Sequence, residues 1–219
     1  MEAKISQIKK DVLVSSYEAG ACHIGSALSC VDILVKLFYG GILKKEDVFL
    51  FGKASGVATY YAILSDKDYF PKEKLAFYLK NYPLPSTEVP GVAHSFGSLG
   101  HGLSVACGLA LTDRNRNVFV LLSDGECQEG STLEAVSFAR QHKLDNLFVH
   151  VDNNKYQALG ATNDIMNMDE IFVFMVRSLP HCEIVDTLKG QGIPFIEGDN
   201  SWHYKNLNKE TLEKALCQI

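Results

Sequence analysis

The chain has 219 residues, 47% of them hydrophobic and 21% charged, values that suit one soluble, layered domain with a real core. Its formal net charge of -5 and scattered basic residues argue against general attraction to nucleic acid or an anionic membrane. No apolar run reaches membrane-spanning length, and the opening MEAKISQIKKDVL is too polar for a signal peptide, so a cytoplasmic protein is expected.

Residues 4–19 read as an amphipathic helix, with Ile5, Ile8, Val12 and Leu13 at helical spacing. Residues 29–39 read as a second helix, 48–51 (VFLF) as a short strand, and 54–64 as a helix of small residues. Residues 83–102 are rich in proline, glycine and histidine and read as a loop. An irregular stretch of that length in a compact domain is usually functional. A helix over 103–112, a continuous apolar strand at 118–122 (VFVLL), a helix over 131–142 and a strand at 147–151 (LFVHV) follow. Strand, helix and strand at this spacing give a right-handed βαβ unit with parallel strands. The expected fold is therefore α/β, a mostly parallel sheet with helices on both faces, in a single domain spanning 1–219.

Ligands of such sheets bind beyond the carboxyl ends of the strands. The two loops there, Ser123-Asp124-Gly125-Glu126 and Asp152-Asn153-Asn154-Lys155-Tyr156, must lie side by side. Asp124 and Asn154 would then offer a carboxylate and an amide oxygen, donors suited to a hard cation such as Mg²⁺ that also takes phosphate oxygens. Gly125 allows close approach of a diphosphate, and a helix starting near Ser131 adds amide donors. Each loop alone would pass for an ordinary turn; their pairing at two strand ends of one unit points to a site. The cysteines (Cys22, Cys30, Cys107, Cys127, Cys182, Cys217) form no CxxC pair and read as free thiols in a reducing compartment, used in packing.

The run Ser123-Asp124-Gly125-Glu126-Cys127-Gln128-Glu129-Gly130, with Leu133-Glu134-Ala135, Lys143-Leu144-Asp145-Asn146-Leu147 and Asp152-Asn153-Asn154, resembles the thiamine diphosphate motif of transketolases. Three further segments follow the family's order. They are His23-Ile24-Gly25-Ser26 with Leu28-Ser29, Pro90-Gly91-Val92 with Gly97-Ser98-Leu99-Gly100-His101-Gly102-Leu103, and Leu188-Lys189-Gly190-Gln191-Gly192 with Trp202-His203. The resemblance covers nearly the whole chain. It implies thiamine diphosphate and Mg²⁺ as cofactors, with Asp124, Asn154 and the Tyr156 carbonyl as metal ligands, and Gly125 and Glu126 beside the diphosphate. It further implies Gly97 and Leu99 against the cofactor's rings, and His23 and His203 facing substrate and diphosphate. Glu129 and Glu134 would be interface acids linking paired active sites. His101, in a tight loop, is a further site candidate and His94 a weaker one, whereas His142, His150 and His181 lie outside any motif. Without the resemblance, Glu129 and Glu134 would read as solvated acids at a helix start, and His23 as a neighbour of a helix cap.

Thiamine diphosphate brings its own carbon chemistry, and the protein anchors and orients it. In the family an activating glutamate comes from a pyrimidine-binding domain. No second βαβ-rich domain follows here, so the resemblance implies a separate C-terminal subunit carrying that glutamate, in an α₂β₂ assembly. The expected reaction is transfer of a two-carbon ketol unit between sugars. Three departures bear on the substrate. Ser55 stands where the family has a histidine after SKG, and Leu84-Pro85-Ser86-Thr87-Glu88 replaces a PGHP turn. Only 33 positions separate Asn154 from Thr187, where the family carries a further helix–strand unit. An atypical sugar or sugar derivative is therefore expected. An acyloin-type or deoxyxylulose-phosphate-synthase-like ligase remains an alternative, as does a noncatalytic scaffold subunit.

Overall fold

The computed structural model describes residues 1–219. Its elements in chain order are α1 (Glu2–Ala19), α2 (Ile24–Ser29), α3 (Val31–Tyr39), β1 (Val48–Phe51), α4 (Val57–Asp66), α5 (Leu75–Asn81), α6 (His101–Thr112) and β2 (Val118–Ser123). There follow α7 (Asp124–Cys127), α8 (Gly130–His142), β3 (Leu147–Asn153), α9 (Thr162–Ile165), α10 (Met168–Ser178), β4 (Cys182–Asp186) and α11 (Lys209–Leu216). Short 3-10 turns lie at Ala54–Gly56, Lys72–Lys74 and Asn200–His203. The chain forms two compact units, the first of Met1–Ile42, Ser55–Ser95 and Thr187–Ile219, the second of Leu43–Ala54 and Phe96–Asp186.

The second unit holds the whole sheet, whose four strands run parallel in the order β1-β2-β3-β4. The apolar runs predicted as strands at 48–51, 118–122 and 147–151 are β1, β2 and β3, so the α/β expectation holds. Alternate strand residues Leu50, Val118, Val120, Leu122, Val149 and Val151 pack against Leu103, Ala106 and Ala110 of α6, Val136 and Ala139 of α8, and Met175 of α10. Each buried Val, Leu or Met among them stabilises the fold by roughly 1.5–3 kcal/mol. Phe51, Phe119 and Leu121 on the opposite face are also buried, as in a parallel sheet covered on both sides. Asn146 ties the approach to β2 in place, donating through Nδ2 to the carbonyls of Ala110, Asp113 and Arg116 at 3.1, 3.0 and 2.8 Å.

The first unit is helical. Ile8, Val12 and Leu13 of α1 are fully buried, as are Leu28, Leu34 and Ile63 of the helices around it. α1 packs on α3, α4, α5 and α11. The predicted 54–64 helix is a 3-10 turn leading into α4. Cys30, Cys107 and Cys127 are buried as expected of packing thiols, whereas Cys217 is exposed; none is bridged. No helix is long and apolar enough to cross a membrane.

Candidate active site

In the second unit, the chain leaving β2 turns at once into α7. Ser123 caps that helix, its Oγ accepting from the Glu126 amide while Glu126 Oε2 accepts from the Ser123 amide, a reciprocal capping box. The cap places Asp124 at the first helical position, fully buried. Asp124 Oδ1 accepts from the Gly125 amide at 2.8 Å, and Oδ2 accepts from the Lys155 amide at 2.6 Å. That second bond crosses between the loops after β2 and β3 and brings Asp124 beside the residue following buried Asn154. Asn154 Oδ1 accepts from the Tyr156 amide at 3.0 Å, and Lys155 takes the left-handed conformation that turns the loop. The loop folds back on α7 through Gln157 Nε2, which donates to Gln128 Oε1 at 2.6 Å. A Cβ on Gly125 would stand 2.9 Å from Gln157 Cβ, so this approach requires glycine.

Charge at this site is concentrated and buried. Burial pushes the Asp124 carboxyl up to about 6, against the pull of the Lys53 charge and the Gly125 amide. Burial likewise pushes Glu126 up to about 7, opposed by amides of Ser123 and Gly100 and by Lys53. Lys53 is itself fully buried, with Nζ 3.2 Å from Asp152 Oδ2. Glu126 Oε1 accepts from the Gly100 amide at 3.2 Å, which fixes the end of the 97–100 loop against α7. Gly100 is left-handed (φ 83°), and a Cβ there would lie 2.3 Å from Ser131 Oγ.

In the first unit, three separated segments converge. His23 caps α2 in a left-handed conformation (φ 65°), unusual for a residue other than glycine. Its amide donates to the His203 carbonyl at 3.1 Å, and the two rings meet edge to face with centroids 4.7 Å apart. Lys189, fully buried, donates to Asn200 Oδ1 at 2.6 Å and reaches His203 Nδ1 at 3.1 Å. Gly25 makes room for it: a Cβ would lie 3.1 Å from Lys189 Cγ. Beside His23 is a cavity of about 360 Å³, lined among others by Cys22, Ser55, Lys80 and Leu84.

Residues 82–177 match the family described as transketolase, thiamine diphosphate binding domain. The chain is 34% identical over 264 aligned positions to one subunit of the apulose-4-phosphate transketolase of Actinobacillus succinogenes, covering all of this chain and 95% of that one. The chain belongs to the transketolase family. That alignment is longer than the chain, so the relative carries segments this transketolase-family chain lacks. A 6-deoxy-6-sulfo-D-fructose transketolase subunit of a Clostridium species is 27% identical over all of this chain and 96% of its own length. Human transketolase is 30% identical across 92% of the chain, which spans 39% of the human protein. Among solved structures, a transketolase variant from Pichia stipitis superposes with a TM-score of 0.84 at 19% identity, over 97% of this chain and 40% of that one.

The transketolase segments fall as follows. In the second unit, Asp124, Gly125, Glu126 and Asn154 are buried around the crossing bond, with Tyr156 half-buried on the same loop. Gly97 and Leu99 are exposed on the loop that Gly100 anchors, and His101 is exposed in the first turn of α6. Glu129, exposed at the N-cap of α8, lies against Gly100; Glu134, also exposed, borders a cavity of about 320 Å³ with Cys107, Gly108 and Phe138. In the first unit, His23 and His203 are in contact. Ser55, where the resemblance leads one to expect a histidine, and Leu84, from the segment that replaces the PGHP turn, line one cavity with His23. His94 is buried near the Tyr60 ring rather than open to a site. No sequence signal marks Lys53, which lies beside Asp152, or gives Lys189 its contact with His203. Both are lysines whose burial only the fold reveals. The capping box could have been read from Ser123 and Glu126 at their three-residue spacing.

The donor set fits a hard divalent cation. Two amides occupy the Asp124 oxygens, yet a carboxylate offers about four lone-pair directions, and burial raises this carboxyl to about 6, a shift that a bound cation would oppose. No cluster of three His, Cys, Asp or Glu side chains able to hold a metal occurs. A cation here would draw on one carboxylate, amide and backbone oxygens, and phosphate oxygens, the pattern Mg²⁺ favours.

Proposed function

We propose that this chain is the diphosphate-binding subunit of a two-subunit transketolase, one 219-residue domain working in an α₂β₂ assembly with a pyrimidine-side subunit that carries the activating glutamate. The observation carrying the reading is the bond from the Lys155 amide to Asp124, which joins the two loops at the carboxyl ends of β2 and β3. Asp124, the side-chain oxygen of Asn154 and the carbonyl of Tyr156 would hold Mg²⁺. Gly125 and Glu126 would lie beside the diphosphate, with Gly97 and Leu99 against the rings. When bound, thiamine diphosphate supplies the nucleophilic carbon and the electron sink of ketol transfer. This chain's part is to bind, orient and shield. His23, His101 and His203 would hydrogen-bond substrate or diphosphate oxygens, and Glu129 would communicate between paired sites, with Glu134 beside it.

Two relatives that the chain covers over 95% and 96% of their own length are named as transketolase subunits, which supports a separate partner. Those names also point beyond ordinary pentose phosphates, to apulose-4-phosphate and 6-deoxy-6-sulfo-D-fructose. The cavity beside His23 supports the same direction, because Ser55 lines it where a histidine was expected, and Leu84 lines it from the segment that has no counterpart of the second histidine. Positioned donors of that kind contribute roughly 2–4 kcal/mol each to a transition state, so their loss would tell against the family's usual sugars. The test is a steady-state comparison, in the reconstituted complex, of ordinary pentose phosphates with branched, sulfonated or nucleotide-linked sugars. The ordinary pair should be used poorly. A kcat/KM for it of about 10⁴ M⁻¹s⁻¹ or more would refute the substrate reading.

A further inference from the structure

The Lys189–Asn200–His203 cluster of the first unit has a chemical consequence that its geometry dictates. Asn200 and His203 occupy the first and fourth positions of one 3-10 turn. Side chains three apart on such a turn eclipse one another, so both reach the same partner, Lys189 Nζ, at 2.6 and 3.1 Å. In its ordinary charged form a lysine has three donors and no acceptor. His203 Nδ1 can therefore meet it only as an acceptor, and a neutral imidazole accepting at Nδ1 carries its proton on Nε2.

The ammonium has no freedom to leave. Lys189 is fully buried, its carbonyl accepts from the Gly198 amide at 2.9 Å, and the Gly190 amide donates to the Gly25 carbonyl at 2.9 Å. Gly25 leaves just enough room for the lysine stem, and Gly190 is left-handed at a point where a Cβ would collide with Ile196. The His203 ring is fenced on its other sides by the edge-to-face contact with His23 and by Tyr204 at 4.9 Å.

We propose that Lys189 is a positioning residue that locks His203 in the Nε2–H tautomer, so that His203 meets its ligand as a hydrogen-bond donor to an oxygen and not as a base. The role assigned to that donor rests on the reading of His203 as a residue facing substrate or diphosphate. The tautomer itself does not. A neutral Nε2–H donor suits a phosphate oxygen or a sugar carbonyl, and the buried lysine supplies this orientation without itself touching the ligand.

The test is a long-range ¹H–¹⁵N correlation spectrum of the full chain labelled at histidine nitrogen, near neutral pH and without cofactor, with His203 assigned by His203→Gln. The expected spectrum shows His203 protonated at Nε2, with Nδ1 in the unprotonated range. Lys189→Met should shift Nδ1 toward the protonated or mixed pattern, and Lys189→Arg, which retains donors, should restore the wild-type pattern. If Lys189→Met does not fold, the wild-type spectrum still decides, because a His203 proton on Nδ1 overturns the proposal. An unchanged tautomer in a folded Lys189→Met chain overturns it equally. A locked Nε2–H form whose resonance ignores Mg²⁺ and thiamine diphosphate in the reconstituted complex would uphold the lock and instead sink the functional reading of His203.

Discussion

Removing the cation of the buried Lys53–Asp152 pair should destabilise the second unit more than removing the pair. The two groups are 3.2 Å apart and essentially inaccessible to solvent. At an effective dielectric of about 20 their attraction is about 5 kcal/mol, but taking both charges out of water offsets most of that gain. Lys53→Met removes the cation facing buried Asp152, at a cost of about 3–5 kcal/mol; Asp152→Leu should cost less, because Asp124 and Glu126 still act on the ammonium. The double substitution removes both charges and should cost less than Lys53→Met alone, since apolar replacements of buried pairs are often neutral. Urea unfolding of the four chains, followed by a signal from the sheet, gives the cycle. Single substitutions that each cost less than about 1 kcal/mol, or a double that costs their sum, would show that the pair is solvated and uncoupled. Lys53 also pulls down the raised carboxyls of Asp124 and Glu126. Lys53→Met should therefore weaken cation binding as well.

The raised Asp124 carboxyl makes stability pH-dependent without metal: its neutral-form contribution is complete below the unfolded value near 3.8 and is lost as pH rises through about 6. The span amounts to about 3 kcal/mol, so the metal-free chain should lose stability across that window and Mg²⁺ with thiamine diphosphate should reverse the loss, which thermal melts would reveal. Gly125→Ala should push the 155–162 loop off α7, because its Cβ would meet Gln157 Cβ at 2.9 Å; faster amide exchange at Gln157 and Thr162 would report it. Gly100→Ala should lower stability by more than the roughly 1–2 kcal/mol of left-handed strain alone, because its Cβ collides with Ser131, and unchanged unfolding would place the loop elsewhere.

Much of this architecture is legible in the chain because its physics is local. The runs VFLF, VFVLL and LFVHV are continuous apolar strands of a covered parallel sheet, and periodicity finds them. β4 escapes that signal: Cys182–Asp186 is an edge strand carrying Glu183 and Asp186 exposed, so it shows no apolar run. α2 escapes too, being six residues long and opened by a left-handed histidine rather than a usual cap. The pairing of the post-strand loops followed from βαβ handedness, and Lys155 to Asp124 is the bond that realises it. Lys53 and Lys189 lay beyond reach because nothing local distinguishes a buried lysine from the solvated ones around it.

The assignment of this chain as the diphosphate-binding half rests most directly on Asp124. Calorimetric titration of thiamine diphosphate with and without Mg²⁺, into the chain alone and into its complex with the pyrimidine-side subunit, tests it for wild type and Asp124→Ala. The expected result is weak binding and no turnover by the chain alone, tight Mg²⁺-dependent binding in the complex, and loss of that binding in a folded Asp124→Ala. Unchanged affinity in the Asp124→Ala complex, or turnover by the isolated chain, would contradict it.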